Sequence, residues 1–370
     1  MKVTTLILLS LLILFRNATA QGVSDYKLIA LPNSQVVSAI ELSPDGAFLT
    51  IGTGQGPLYF WDWKKEEVIK TIDVGSYYAG PKLRFSPDGK YLLLQQQFYT
   101  DWNLNKDKPG RVEVLEVSSG KILFTNEVVH SASFSAGTQL VTLQGNDVCI
   151  WDFTKGEKIK CQTIPNISNT VAVSPDGKIF AVSKKPVAGD LTDIPSLRSD
   201  KTAQKEALKR REIVEFYDLE KFTKLRACTD VFDIVFSMRF SDDGQRLFVY
   251  NAPHTKLQTG TGTGRQGYIN KVIVSTGEVT RTIFSSLIAE PDYKENEDGS
   301  VFGNTSIEYK FKGIPTIILC NPETANPVSK FDVNVRIGET MMADRTSFAF
   351  LPDGKTVVLG YGGKLALWKP

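Results

Sequence analysis

The sequence predicts an all-β fold, a seven-bladed β-propeller of four-stranded antiparallel blades. Two observations carry this. A Ser-Pro-Asp-Gly phrase recurs along the chain, and runs of alternating apolar residues fill the intervals between copies. The phrase stands at Ser43–Gly46, Ser86–Gly89 and Ser174–Gly177, with variants Ser241-Asp242-Asp243-Gly244 and Leu351-Pro352-Asp353-Gly354. A shortened copy is Phe134-Ser135-Ala136-Gly137, and a degenerate one is Asn296-Glu297-Asp298-Gly299. A fixed phrase repeated at this spacing marks a repeat architecture. Pro presets φ near −65°, and Gly supplies the positive φ of a tight hairpin.

Each repeat reads as four strands. A first strand such as Val37–Leu42 leads into the turn, and a second follows, as in Tyr91–Leu94 or Ile179–Val182. A third ends in an apolar-aromatic-Asp pattern: Tyr59–Asp62, Cys149–Asp152, Glu215–Asp218. A turn rich in Gly, Lys and Glu then precedes a fourth, as in Ser119–Phe124 and Lys155–Ile159. Period-two alternation between turn signals is the strand signature, and four antiparallel strands per repeat make a blade. Turn glycines at 46, 89, 137, 177, 244, 299 and 354 count seven blades. Only Thr356–Gly360 and Lys364–Trp368 follow the last of them. Tyr26–Leu31 is therefore expected to supply the missing outer strand and close the ring, leaving no open sheet edge.

Residues 1–20 read as a secretory signal peptide: Lys2, an apolar run from Leu6 to Phe15, and a small-residue site at Ala18-Thr19-Ala20. The single propeller domain is expected over 21–370, in a periplasmic or secreted protein. No later stretch is long and apolar enough to cross a bilayer. The leader holds two of the 43 basic residues and no acid, so 41 Lys and Arg face 41 Asp and Glu beyond it. That balance argues against nucleic acid as partner.

The surplus residues join second to third strands or one blade to the next, and those connections share one face. Insertions on one face of a repeat protein mark its binding side. Candidate contacts there are Tyr77, Tyr78, Tyr99 and Trp102; Lys201, Lys205 and Lys209 on a helix expected over Leu197–Arg211; and Arg265 and Arg336. The aromatics either pack down to seal the loops or anchor a partner. The lysines are either a solvated helix face or a contact stripe. Further segments on this face are His254–Gly267, Ser286–Glu295 and Val335–Arg345, the last with Met341 and Met342.

The catalytic inventory is thin, and no catalytic residue, metal or cofactor is assigned. Gly262–Gly267 matches G-x-G-x-x-G but precedes a strand instead of opening a helix. Asp292–Gly299 resembles a calcium loop but has Lys294 at a ligand position, and a hairpin turn fits it better. His130 and His254 share no metal-ligand spacing. An enzyme reading would draw on His130, Asp230, Asp233 and Arg336 around the axial channel, at the starts of first strands. Four cysteines are present. Cys149 and Cys161 flank a predicted hairpin and fall roughly opposite each other, within disulfide reach. The alternative is four buried free thiols.

The repeats resemble WD40 repeats over nearly the whole chain beyond the leader. Trp61-Asp62 and Trp151-Asp152 match the signature pair; Leu115-Glu116, Tyr217-Asp218, Val274-Ser275 and Cys320-Asn321 depart from it, and the Gly-His pair is missing. The Ser-Pro-Asp-Gly cadence is similar to that of bacterial extracytoplasmic propellers. The resemblance implies a non-catalytic scaffold that binds a protein, peptide or glycan; the alternative is a propeller hydrolase, lactonase or lyase.

Overall fold

The computed structural model describes residues 25–33, 35–54, 56–77, 80–96, 99–100, 103–104, 110–253, 266–286, 292–309, 313–333 and 346–370. The signal peptide, Tyr78, Trp102, His254, Arg265, Arg336, Met341 and Met342 lie outside them, and of Tyr99 only the backbone is described.

Seven four-stranded antiparallel sheets form the seven blades. Blade 1 is β2 (Val37–Leu42), β3 (Leu49–Thr53), β4 (Leu58–Asp62) and β5 (Glu67–Ile72). Blade 2 is β6 (Lys82–Phe85), β7 (Tyr91–Gln95), β10 (Gly110–Glu116) and β11 (Ile122–Val129), with a small hairpin, β8 (Tyr99–Thr100) and β9 (Asn103–Leu104), between its middle strands. Blade 3 is β12 (Ser131–Phe134), β13 (Gln139–Gln144), β14 (Asp147–Asp152) and β15 (Glu157–Thr163). Blade 4 is β16 (Ile167–Val173), β17 (Ile179–Lys184), β18 (Ile213–Asp218) and β19 (Lys224–Ala227). Blade 5 is β20 (Ile234–Phe240), β21 (Arg246–Ala252), β22 (Gln266–Ile273) and β23 (Val279–Ser286). Blade 6 is β24 (Tyr293–Glu295), β25 (Phe302–Tyr309), β26 (Gly313–Cys320) and β27 (Pro327–Asp332). Blade 7 is β28 (Phe348–Phe350), β29 (Val357–Tyr361) and β30 (Lys364–Lys369), completed by β1 (Asp25–Ala30), which pairs with β30 from Asp25↔Lys369 to Ala30↔Lys364.

The core is divided among the blade interfaces. Seven apolar clusters each draw on two neighbouring blades. One joins Phe180 and Val182 of blade 4 to Val141 and Ile150 of blade 3. The closing one joins Val358 and Leu365 of blade 7 to Leu49 and Trp61 of blade 1. Second strands such as β3 are buried at every position, whereas outer strands such as β15 are exposed throughout. Burial is thus greatest in the middle strands and least in the outer ones, and a blade removed from the ring would expose two apolar faces.

The recurring phrase builds one hydrogen-bonded turn. In blade 2 the Ser86 hydroxyl donates to Asp88 Oδ1 (2.7 Å), which also accepts from the Lys90 amide (3.2 Å), while the Tyr91 amide donates to Ser86 Oγ (3.0 Å). The same set recurs at Ser174/Asp176 and Ser241/Asp243. Turns also pack in series: a Cβ on Gly46 (φ +67°) would lie 2.8 Å from Pro352 Cγ of blade 7. The third-strand Asp caps the other tight turn, Asp62 Oδ1 accepting the amides of Lys64 and Lys65. Asn321 does the same for Glu323 and Thr324 in blade 6.

Two expectations shift. The helix runs over Lys201–Arg210 (α2), because Asp200 caps its start by accepting the amides of Thr202 and Ala203 (2.9 Å each). Leu197 instead joins Leu191, Ile194, Ala207 and Ile213 in a small core beneath the insertion, with a short helix, α1, over Ala188–Thr192. The segment ending at Glu295, expected to be wholly an interblade connection, contains inner strand β24. Tyr293 enters the apolar cluster between blades 5 and 6, while the strand's acidic end is held by an ion pair, Glu295 meeting Arg246 at 3.1 Å.

Candidate functional sites: the long-connection face and the axial channel

Antiparallel pairing fixes two unlike faces. First-to-second and third-to-fourth turns lie on one, and β1 begins there at Asp25, opposite Lys369 at the end of β30. The second-to-third and blade-to-blade connections leave from the other. The intervals between β7 and β10, β17 and β18, and β21 and β22 all open onto that second face. The largest described insertion, between Lys184 and Ile213, carries α1 and α2 and packs against Val231 of the next connection.

Along α2, Lys201, Lys205 and Lys209 are exposed, as are Leu208 and Val187 beside them. Arg210 pairs with Glu206 and Arg211 with Asp233, so these two guanidiniums are engaged within the fold. Tyr77 is no exposed anchor. It is 2% exposed, its hydroxyl donates to the Glu113 carboxylate, and its ring lies under the Arg111 guanidinium, 4.4 Å from the centroid. Burial and then the neighbouring carboxylate push its pKa far up, so it seals the loop as a neutral phenol.

The described residues of the enzyme reading, His130, Asp230 and Asp233, are each engaged in a local contact; Arg336 lies outside the described residues. His130 Nδ1 accepts the Gly145 amide (3.2 Å) in a turn contact. Asp230 accepts the Val231 amide (2.8 Å), and Asp233 pairs with Arg211. Cys149 and Cys161 are joined in a disulfide across β14 and β15, where they stand directly opposite. Cys228 and Cys320 are free and buried. Among the described residues no group of His, Cys, Asp and Glu could hold a metal ion, and no helix is long and apolar enough to cross a membrane.

The first strands enclose an axial cavity of 490 Å3. It reaches from Pro44, Pro87 and Pro175 at the tight-turn face to Ser38, Pro81 and Thr346 near the other. Inner strands are tied across blades by side chains: Ser347 Oγ accepts the Ile40 amide (2.9 Å), and Ser133 Oγ accepts the Val173 amide (3.2 Å).

A charged cluster sits at one level of this channel. Lys294 Nζ lies 3.1 Å from Asp292 Oδ2 and 3.4 Å from Glu41 Oε2, and donates to the Ile40 carbonyl (3.3 Å). Ser347 Oγ (2.6 Å) and the Phe348 amide (3.2 Å) donate to Asp292 Oδ2. Arg84 and Arg239 approach the other Glu41 oxygen, Oε1, at 3.5 and 3.8 Å. Arg239 of blade 5 meets Glu41 of blade 1 across the axis, so the channel is bridged.

Burial opposes ionisation of Glu41, but Lys294, Arg84 and Arg239 outweigh it and hold its pKa below the usual carboxylate range. Asp292 is likewise lowered: burial opposes, Lys294 and the Ser347 hydroxyl prevail. Tyr293 donates or accepts a hydrogen bond with Ser237 (3.0 Å), and burial pushes its phenol up to about 12. At neutral pH the carboxylates stay charged and the phenol neutral. The arrangement can hold an anion electrostatically, and none of these three groups is tuned to exchange a proton near pH 7.

In the sequence these charges lie toward the ends of first strands, away from the candidates expected at their starts. Glu41, Arg84, Arg239 and Lys294 each stand two residues before the first residue of a blade turn. Aligning the repeats on that turn and reading the column would have found four charges in seven blades. No known protein family matches this sequence, and no characterised protein aligns with it significantly.

Proposed function

We propose that the chain is an exported, non-catalytic binding scaffold, a divergent WD40-like propeller that holds a protein, peptide or glycan on its long-connection face. One observation carries this: the insertions are concentrated on one face, and the largest described one is a packed helical layer with an exposed basic and apolar edge. Packing such an insertion against the ring fixes its surface in place, which lowers the entropy lost on binding. The test is capture from the native envelope fraction with residues 21–370 as bait. Tyr99→Ala with Trp102→Ala should weaken capture with no fall in melting temperature. A lower melting temperature with undiminished capture would make those side chains packing residues.

A propeller hydrolase, lactonase or lyase is the second reading, favoured only by the buried charges of the channel. It requires a bound metal or an activated nucleophile. A stoichiometric metal in the purified protein, lost on changing His130, would favour it over the scaffold.

A further inference from the structure

We infer that the axial channel is a binding site for a small organic monocarboxylate, separate from the partner face. Three observations carry this.

The first is unspent donor capacity. A guanidinium carries five N–H donors. Among the described residues Arg239 makes one ionic contact, at 3.8 Å, and donates no hydrogen bond; Arg84 donates one, to Glu41 Oε1 at 3.5 Å. Both groups address the same oxygen of Glu41, and both line the cavity. The Arg239 side chain is 19% exposed and that of Arg84 42%, both lining the channel, and a guanidinium so placed is best matched by a carboxylate or phosphate in fork geometry. Neither is matched that way here.

The second is charge. At the bridged level Arg84, Arg239 and Lys294 face Glu41 and Asp292, a surplus of one positive charge. Asp242, at the tight-turn end, acts on Arg239, and Lys82 stands at the start of β6, so four cations face three carboxylates and the surplus of one holds for the whole channel. Lys294 spans both carboxylates, and Arg239 is held charged by Glu41, Asp242 and Asp292, so Arg84 is the less compensated of the two guanidiniums. Like charges that crowd each other away from bulk water are relieved by an anion. Burial and then Arg239 itself lower the pKa of Arg84. One excess charge matches a monoanion, and a planar carboxylate matches the guanidinium fork.

The third is room and lining. The cavity volume lies in the range typical of small-molecule sites, ~300–1,000 Å3. Beside the guanidiniums stand Ser133 and Ser237, which can hydrogen-bond a polar body, and Phe85 and Phe236, which can pack an apolar one.

The site is tested by isothermal titration calorimetry on residues 21–370 at pH 7.5. Sodium gluconate and sodium benzoate are the carboxylate probes; inorganic phosphate and choline are the contrasts. Saturable one-to-one binding of at least one carboxylate is expected. Arg239→Met should weaken it at least tenfold. Glu41→Gln, which removes the internal competitor for both guanidiniums, should tighten it severalfold, a gain that loss of folding cannot imitate. Arg239→Lys keeps the charge without the fork and should fall between wild type and Arg239→Met. Dissociation constants above ~10 mM for both carboxylates would overturn the inference. So would binding of phosphate or choline in preference to both, or carboxylate binding that Arg239→Met and Glu41→Gln leave unchanged.

Discussion

Replacing Lys294 with Met removes the ammonium that spans Glu41 and Asp292 while keeping most of the side-chain volume. Lys294 is 10% exposed, and its partners Glu41 and Asp292 are 12% and 21% exposed. Breaking a buried pair by removing one partner costs about 3–5 kcal/mol, because the other charge stays buried and uncompensated. Here Asp292 keeps its bonds from Ser347 and Phe348, and Glu41 keeps two guanidiniums at longer range. The loss should therefore fall near the lower end, about 3 kcal/mol. Urea unfolding followed by tryptophan fluorescence would read it at pH 7. The pH dependence is the sharper part. In the wild type, carboxylate pKa values lowered by folding contribute stability that is present above the unfolded values and lost as pH falls through the lowered ones. Without Lys294 the folded values rise, so the variant's deficit should shrink as pH drops below the ordinary carboxylate range. Lys294→Met with Asp292→Asn should recover part of the loss at pH 7. A deficit under about 1 kcal/mol at pH 7, within the range of ordinary surface changes, would refute the reasoning. A deficit that stays constant into acid would refute it as well.

Three further outcomes follow from the turns and the edge strand. Asp88→Ala should lower stability by about 1 kcal/mol, the worth of the lost hydrogen bonds, in chemical denaturation at pH 7; because the Asp88 pKa is lowered in the fold, the effect should fade in acid. Ala325 sits at φ 60° in a third-to-fourth-strand turn where other blades place Gly120, Gly156 and Gly277. Ala325→Gly should raise stability by about 0.5–1 kcal/mol, and a lower melting temperature would contradict this. Cys149 and Cys161 close a span of 12 residues, and Cys161 is exposed, so dithiothreitol should reach the bond. Reduction should cost roughly 2–3 kcal/mol, and Cys149→Ser with Cys161→Ser should show the same loss without responding to reductant.

The ring was legible because each tight turn repeats a local requirement, a residue with positive φ, that Gly meets at low cost. Gly46, Gly89, Gly177 and Gly244 all adopt it in the structure. Closure by the first strand was legible because the last repeat lacked a fourth, and β1 fills that place. The helix start was read too early. Leu197 continues the helical spacing, but the insertion needs it as a core residue and Asp200 supplies the cap. The channel charges escaped for a different reason. Glu41 in Val37–Leu42 looks like the solvent-facing member of an alternating strand, and nothing local marks it as buried. Only closure of the ring brings it to Lys294, 253 residues away. β24 escaped with it, since Tyr293-Lys294-Glu295 has no apolar alternation and only Tyr293 enters an apolar cluster, Lys294 and Glu295 being held by ion pairs.

The claim that the decorated face does the binding is tested most directly by equal perturbations of the two faces. Lys201, Lys205 and Lys209 change together to Ala in one variant. In the other, Lys65, Lys155 and Lys178, exposed on the tight-turn face, do the same. The first variant should capture markedly less partner from the envelope fraction than wild type, and the second should capture as much. Equal losses in both, or a loss confined to the second, would contradict the account.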